Sequence, residues 1–268
     1  MKIGYVQFEP IFGDKDRNLE TILKMLEIGV DKGAELLVLP ELCNTGYVFR
    51  SQDELHELSE DVPNGRSTET LIRFAEDSKL YIVAGLCEKA DGAYYNSAIL
   101  TGPEGFVAKY RKAHLYNEEN LWFCKGDIAY QVYTTSKARI GMMICFDWFF
   151  PEVVRILALK GAQIICHPSN LILPYCQTAL LAAAVQNRVF IVTANRVGNE
   201  RGVEFTGMSQ IVDSDMNALA KSGKDEDVKV VEIDPKTADS KRINKYNDLW
   251  LDRRVDLYNP LLSEGPQA

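Results

Sequence analysis

Short apolar runs alternate with stretches of helical period in both halves of this chain, and that alternation restricts its fold more than any other feature. Residues 2–8 read as a strand, and Leu19, Ile22, Leu23 and Leu26 follow at i, i+3, i+4, i+7 spacing, which predicts a helix closing near Gly33. Leu36-Leu37-Val38-Leu39 is then a buried strand closed by Pro40, with Glu41 directly behind it. In the second half, Arg139 to Ile144 reads as a strand and Pro151 to Lys160 as a helix, with Val153, Val154 and Leu157 on one face. Proline suits the first turn, and Gly161 supplies a left-handed stop. A strand from Gln163 to His167, a helix from Cys176 to Arg188 and a strand from Val189 to Ala194 repeat the pattern. The fold class is therefore α/β.

Between the halves the pattern changes. Asp91-Gly92 and Gly102-Pro103-Glu104-Gly105 read as turns joining strands at 81–85, 96–101 and 106–110, so the sheets are expected to be mixed. Residues 50–65 read as a polar loop, and Ser67 as the cap of a helix holding Leu71, Phe74 and Ala75. Further strands are expected at 132–135, 208–212 and 228–233. No linker or fixed-period repeat interrupts the chain, so residues 1–268 are expected to form one domain. Residues 245–268 read as a tail docked on the fold or on a partner subunit, with Trp250 and Leu257 as apolar anchors.

The bulk chemistry narrows the partners. A net charge of −8 argues against nucleic acid or an anionic membrane, which need basic patches. The opening residues reach an acid, Glu9, too soon for a secretory signal, and no apolar run is long enough to span a membrane. A cytoplasmic protein is expected. Its six cysteines are irregularly spaced, so no disulfide framework is expected, and its three histidines are too scattered for a zinc site. No phosphate loop or dinucleotide fingerprint is present. Neither a metal nor a cofactor is expected.

Three reactive groups stand just beyond strand ends: Glu41, Lys112 and Cys145. Cys145 is delivered to a strand-to-helix corner. Backbone N–H groups at a helix start lower a thiol pKa and can stabilise an oxyanion, whereas a buried structural cysteine is the plainer reading of the same stretch. Glu41 alone would be a solvated loop acid, and Lys109 to His114 a solvated basic edge.

Taken together these stretches resemble the nitrilase superfamily of carbon–nitrogen hydrolases over nearly the whole chain. The resemblance is carried by Leu39-Pro40-Glu41 with Thr45-Gly46-Tyr47, by Lys109-Tyr110-Arg111-Lys112 with His114-Leu115, and by Ile144-Cys145-Phe146-Asp147 with Phe150-Pro151-Glu152. His167-Pro168-Ser169-Asn170, Asn195-Arg196-Val197-Gly198 and Arg253-Arg254 extend it. It implies a four-layer α-β-β-α sandwich with two mixed sheets and a homodimer or higher assembly. It also implies Glu41 as general base, Lys112 as the cation steadying a tetrahedral intermediate, and Cys145 as nucleophile. Lys109 is the rival lysine. A second glutamate positioning the substrate is expected at Glu119, with Glu118 as rival.

The implied reaction is cleavage of a small amide through a cysteine thioester. Family nitrilases commonly carry Trp-Glu after the cysteine, and Phe146-Asp147 here favours an amidase or an N-carbamoyl amine or amino-acid hydrolase over a nitrilase. A non-catalytic interaction protein would have lost one of the three groups. Phe146, Trp148, Asn170 and Tyr47 are the expected substrate-binding residues, whereas Phe149 and Phe150 are expected in the core or at a dimer contact.

Overall fold

The computed structural model describes residues 1–263. The first sheet takes β1 (Lys2–Gln7), β2 (Leu36–Val38), β3 (Tyr81–Ala90), β4 (Ala93–Gly102) and β5 (Gly105–Arg111). The second takes β6 (Val132–Thr134), β7 (Arg139–Met142), β8 (Ile164–Ser169) and β9 (Phe190–Asn195). A small hairpin, β10 (Asn199–Glu200) and β11 (Val203–Glu204), precedes β12 (Gln210–Val212) and β13 (Ala218–Lys221), which complete the second sheet. The strand β14 (Asp227–Glu232) returns to the first, beside β1. Each sheet has six strands, in the orders β14-β1-β2-β3-β4-β5 and β13-β12-β9-β8-β7-β6. Both have a parallel centre, β1-β2-β3 and β7-β8-β9, flanked by antiparallel strands.

The helices are α1 (Lys15–Asp31), α2 (Gln52–Leu58), α3 (Arg66–Ser78), the single turn α4 (Glu119–Trp122), α5 (Pro151–Leu159) and α6 (Cys176–Asn187). Strand alternation explains the layers. In β2, Leu36 and Val38 join Ile140, Met142 and Ile165 of the second sheet, while Leu37 and the following Leu39 meet Ile22 and Leu26 of α1 and Leu71 of α3. Both faces of the run Leu36–Leu39 are thus covered, which is why it is apolar throughout. Val153, Val154 and Leu157 of α5 and Leu180 of α6 pack on the second sheet. The result is the expected α-β-β-α sandwich.

Most boundaries fall where the periodicity places them. Gly33 and Gly161 take the left-handed conformation just past α1 and α5, with φ of 78° and 90°. Asp91 and Gly92, with φ of 50° and 79°, make the tight β3–β4 turn.

Three local readings are corrected. Residues 50–65 are not all loop, because Gln52–Leu58 is helical, with Ser51 accepting from the Glu54 N–H at 3.2 Å. Ser67 is not a cap. It lies inside α3, where the Glu60 carboxylate accepts from its N–H at 2.7 Å and its hydroxyl at 3.0 Å, so an acid from the preceding loop satisfies the helix start. The strand before Cys145 ends at Met142, two residues short of the expected Ile144.

In the tail, Trp250 is half-buried against the core, with the Arg155 guanidinium and the Lys241 ammonium over its ring at 5.1 and 5.2 Å. Tyr246, Leu251, Leu257 and Leu262 are exposed. Residues 264–268 of the expected tail lie outside the described residues. The six cysteines are unpaired, and no described helix is long and apolar enough to cross a membrane.

Candidate active site

The parallel centres of both sheets deliver their carboxyl ends to one place. Glu41 follows β2, Cys145 follows β7, Asn170 follows β8 and Lys112 follows β5. The turn carrying Glu41 lies flat against β3. A Cβ on Gly85 would sit 2.4 Å from the Glu41 Cα, so only glycine lets the two backbones approach this closely.

Glu41 and Lys112 are buried, at 0% and 1% exposure. The Lys112 Nζ donates to Glu41 Oε1 at 2.6 Å and to Glu119 Oε1 at 2.7 Å. Asn96 Nδ2 also donates to Glu41 Oε1, at 2.7 Å, while Glu41 Oε2 is buried with no donor among the described residues. Glu119 accepts from the Tyr47 hydroxyl at 2.6 Å. Burial lowers the Lys112 pKa, but the charges of Glu119 and Glu41 outweigh it, so its ammonium is held above the usual lysine value. Burial pushes the Glu119 carboxyl up, and Lys112 opposes that rise.

Cys145 occupies a strained corner. Its φ is 39°, a left-handed conformation that costs a residue with a Cβ about 1–3 kcal/mol. A 3-10 turn, Cys145–Phe149, separates it from α5. Two buried side chains hold this corner. His167 Nε2 donates to the Cys145 carbonyl oxygen at 2.9 Å. Burial lowers the His167 pKa to about 4, so the ring is neutral and Nε2 carries its proton. Asp147 accepts from the Ile144 N–H at 2.9 Å, the Tyr110 hydroxyl at 2.8 Å and the His114 N–H at 3.1 Å.

The corner does not lower the thiol pKa as the sequence reading expected. Burial pushes the Cys145 thiol well up and Glu41 adds to the rise, against Lys112 and a backbone N–H bond from Asn170. The resting sulfur is a thiol, and a neighbouring base has to take its proton.

Cys145 borders a cavity of about 30 Å³ with Phe146, Trp148, Phe149, Asn170 and Ile172. Ile172 and Tyr116 also border a second hollow of about 80 Å³ on the Glu119 side, which holds Tyr47 and Trp122. All four expected substrate-binding residues therefore reach this region. Phe149 is 52% exposed on the cavity edge, so it is not in the core, which leaves the dimer contact as the other expected place for it. Phe150 packs as expected, stacked on His114 at 3.6 Å.

Neither rival bonds within the cluster, although Glu118 borders the second hollow. Lys109 Nζ binds Glu88 Oε1 at 2.5 Å, and Glu118 is exposed. Asp147 does not line the cavity, so its replacement of glutamate after the cysteine serves the corner's geometry and says little about substrate. The sequence reading missed Asn96 and Glu200, and quoted His167 within a motif without giving it a role. Glu200 accepts from the Tyr47 N–H at 2.8 Å and from the buried Arg196 at 2.6 Å, fixing the loop that carries Tyr47. Among the described residues, no group of three His, Cys, Asp or Glu is placed to hold a metal ion.

Comparison with known proteins defines the class. The carbon-nitrogen hydrolase family model matches residues 2–243, and the chain belongs to that family. It is 44% identical to a nitrilase of Pyrococcus abyssi, over 96% of this chain and 99% of that protein. A carbon-nitrogen hydrolase from Helicobacter pylori G27 superposes with a TM-score of 0.90 at 28% identity, covering 98% of this chain and 99% of that one. The amidase of Nesterenkonia sp. AN1, solved as a mutant with acrylamide added at its active-site cysteine, gives a TM-score of 0.82 at 26% identity. There 97% of this chain and 99% of that one are covered.

Proposed function

We propose that this protein is an amidase that hydrolyses small linear amides through a Cys145 thioester, releasing ammonia or an amine. The observation that carries this reading is the unpartnered Glu41 Oε2, buried in the cluster beside a thiol that burial keeps protonated. An amide is a poor electrophile, and a thioester divides its hydrolysis into two easier steps.

In this reading Glu41 takes the thiol proton as sulfur attacks, passes it to the departing nitrogen, and then activates water for deacylation. The Lys112 ammonium and the Phe146 N–H stabilise the oxyanion, where losing one donor costs about 10²–10³ in rate. Glu119, held by Tyr47, keeps Lys112 in place and faces the substrate from the second hollow. The narrow cavity suits a short acyl group.

The test is ammonia release from a panel of short aliphatic amides and N-carbamoyl amines. Cys145→Ala, Glu41→Gln and Lys112→Ala are each expected to abolish it, and turnover surviving Cys145→Ala sinks the mechanism. The Pyrococcus abyssi relative named nitrilase supports a second reading, nitrile hydrolysis at the same sulfur. Matched nitriles in the panel separate the two. We further propose a cytoplasmic homodimer: the unpaired cysteines fit a reducing compartment, and the exposed apolar tail fits a second copy of the chain.

A further inference from the structure

Asn170 follows β8 and presents three groups at the site. Its backbone N–H favours the Cys145 thiolate, and its Nδ2 donates to the Glu41 carbonyl oxygen at 3.0 Å. A carbonyl only accepts, so this contact fixes which end of the amide is Nδ2 and which is Oδ1. That Oδ1 is buried without a donor among the described residues, on a residue 3% exposed that borders the cavity with Cys145. A buried acceptor is costly to leave unpaired. Two other orphans lie in this cluster: Asn96 Oδ1, on a residue that borders neither hollow, and Glu41 Oε2, to which the mechanism above gives a proton. That mechanism gives Asn170 Oδ1 nothing.

We propose that Asn170 Oδ1 accepts a hydrogen bond from the scissile N–H of the substrate, so that Asn170 selects amides over esters of the same acid; this rests on the amidase reading. In acylation the S–H proton passes to Glu41, an S–C bond forms, and the carbonyl pair moves onto oxygen. On collapse the proton passes from Glu41 to nitrogen, the C–N bond breaks with its pair going to nitrogen, and ammonia leaves. That second transfer requires the nitrogen lone pair to face Glu41. One N–H held on Asn170 Oδ1 fixes the nitrogen in that rotation. An ester presents a lone pair to the same oxygen, and two acceptors repel. Both substrates form the same thioester, so deacylation is common to them.

The experiment compares kcat/KM for propionamide and methyl propionate in wild type and in Asn170→Ala. The amide is expected to lose at least about tenfold more than the ester, the size of effect that follows when a buried hydrogen bond to substrate is removed. A merely structural role, through Glu41 or the sulfur, lowers both alike, and equal losses overturn the assignment while leaving the amidase reading intact. Should Asn170→Ala not fold, wild type decides the matter. With equal concentrations of the two substrates, ammonia is expected to exceed methanol, although esters are the better electrophiles. An excess of methanol overturns the proposal. If no amide yields ammonia, the amidase reading falls first and this assignment with it.

Discussion

Glu41 meets Lys112 through a single oxygen: Oε1 lies 2.6 Å from the ammonium, while Oε2 of the same buried carboxylate has no donor among the described residues. One half of the group is committed to charge pairing, and in the proposed mechanism the other takes the proton. Glu41→Gln keeps the shape but removes the base, so ammonia release is expected to fall about 10²–10⁴-fold with little change in melting temperature. Lys112→Met is the opposite case. It leaves Glu41 and Glu119 facing each other in a buried site, at an expected cost of about 3–5 kcal/mol, readable by urea unfolding.

The sulfur's protonation state is also testable. Burial raises the Cys145 pKa well above the ordinary thiol value, so little thiolate exists up to pH 9 unless Glu41 assists. Iodoacetamide is expected to alkylate wild-type Cys145 readily near neutrality. In Glu41→Gln the reaction should be slow there, because the proton acceptor is gone, even though losing the Glu41 charge itself removes one of the causes that raise the thiol pKa. Equal rates in the two proteins would show that the corner makes its own thiolate.

A second buried carboxylate governs acid stability. Glu88 lies under Lys109 at 2.5 Å and Arg111 at 2.7 Å. Burial raises its pKa, but the bonds from Arg111, Lys109 and Ser97 outweigh that, and the net value is lowered. A folded pKa below the unfolded one gives stability that is fully present above the unfolded value, about 4.3, and lost as pH falls through the folded value. Unfolding free energy is therefore expected to drop below about pH 4.3 in wild type and to lose part of that slope in Glu88→Gln.

Phe149 borders the Cys145 cavity and is 52% exposed. Phe149→Ala is expected to raise kcat/KM for hexanamide relative to propionamide about tenfold or more, since each methylene accommodated in an apolar pocket is worth about that much. An unchanged ratio would place the acyl chain elsewhere.

The tail gives an assembly test. Leu251 and Leu257 are 79% and 62% exposed. If the proposed dimer forms through this tail, wild type is expected to scatter light as a dimer and the variant with both replaced by aspartate as a monomer.

Glu41, Lys112 and Cys145 stood out in the sequence as reactive groups just beyond strand ends, but each alone reads as solvated or structural, and it was the resemblance to a known family's motifs that joined them. The residues that hold them were not legible. Asn96 reaches Glu41 across 55 positions, and Glu200 reaches Tyr47 across 153, through pairings that local pattern does not encode. The α2 helix escaped because it buries only Leu55 and Leu58, too few for a period to show. Asp147 was legible as an acid beside the cysteine, yet its role became clear only when Ile144, Tyr110 and His114 were seen bonded to it. The thiol pKa was misjudged because a helix start was weighed without the burial around it.

The central claim is that amide nitrogen leaves while the acyl group stays on sulfur. Wild-type enzyme, quenched with acid during propionamide turnover and read by intact and peptide mass, should carry one propionyl group on the peptide holding Cys145. Steady ammonia release from enzyme whose Cys145 is never acylated would contradict the account.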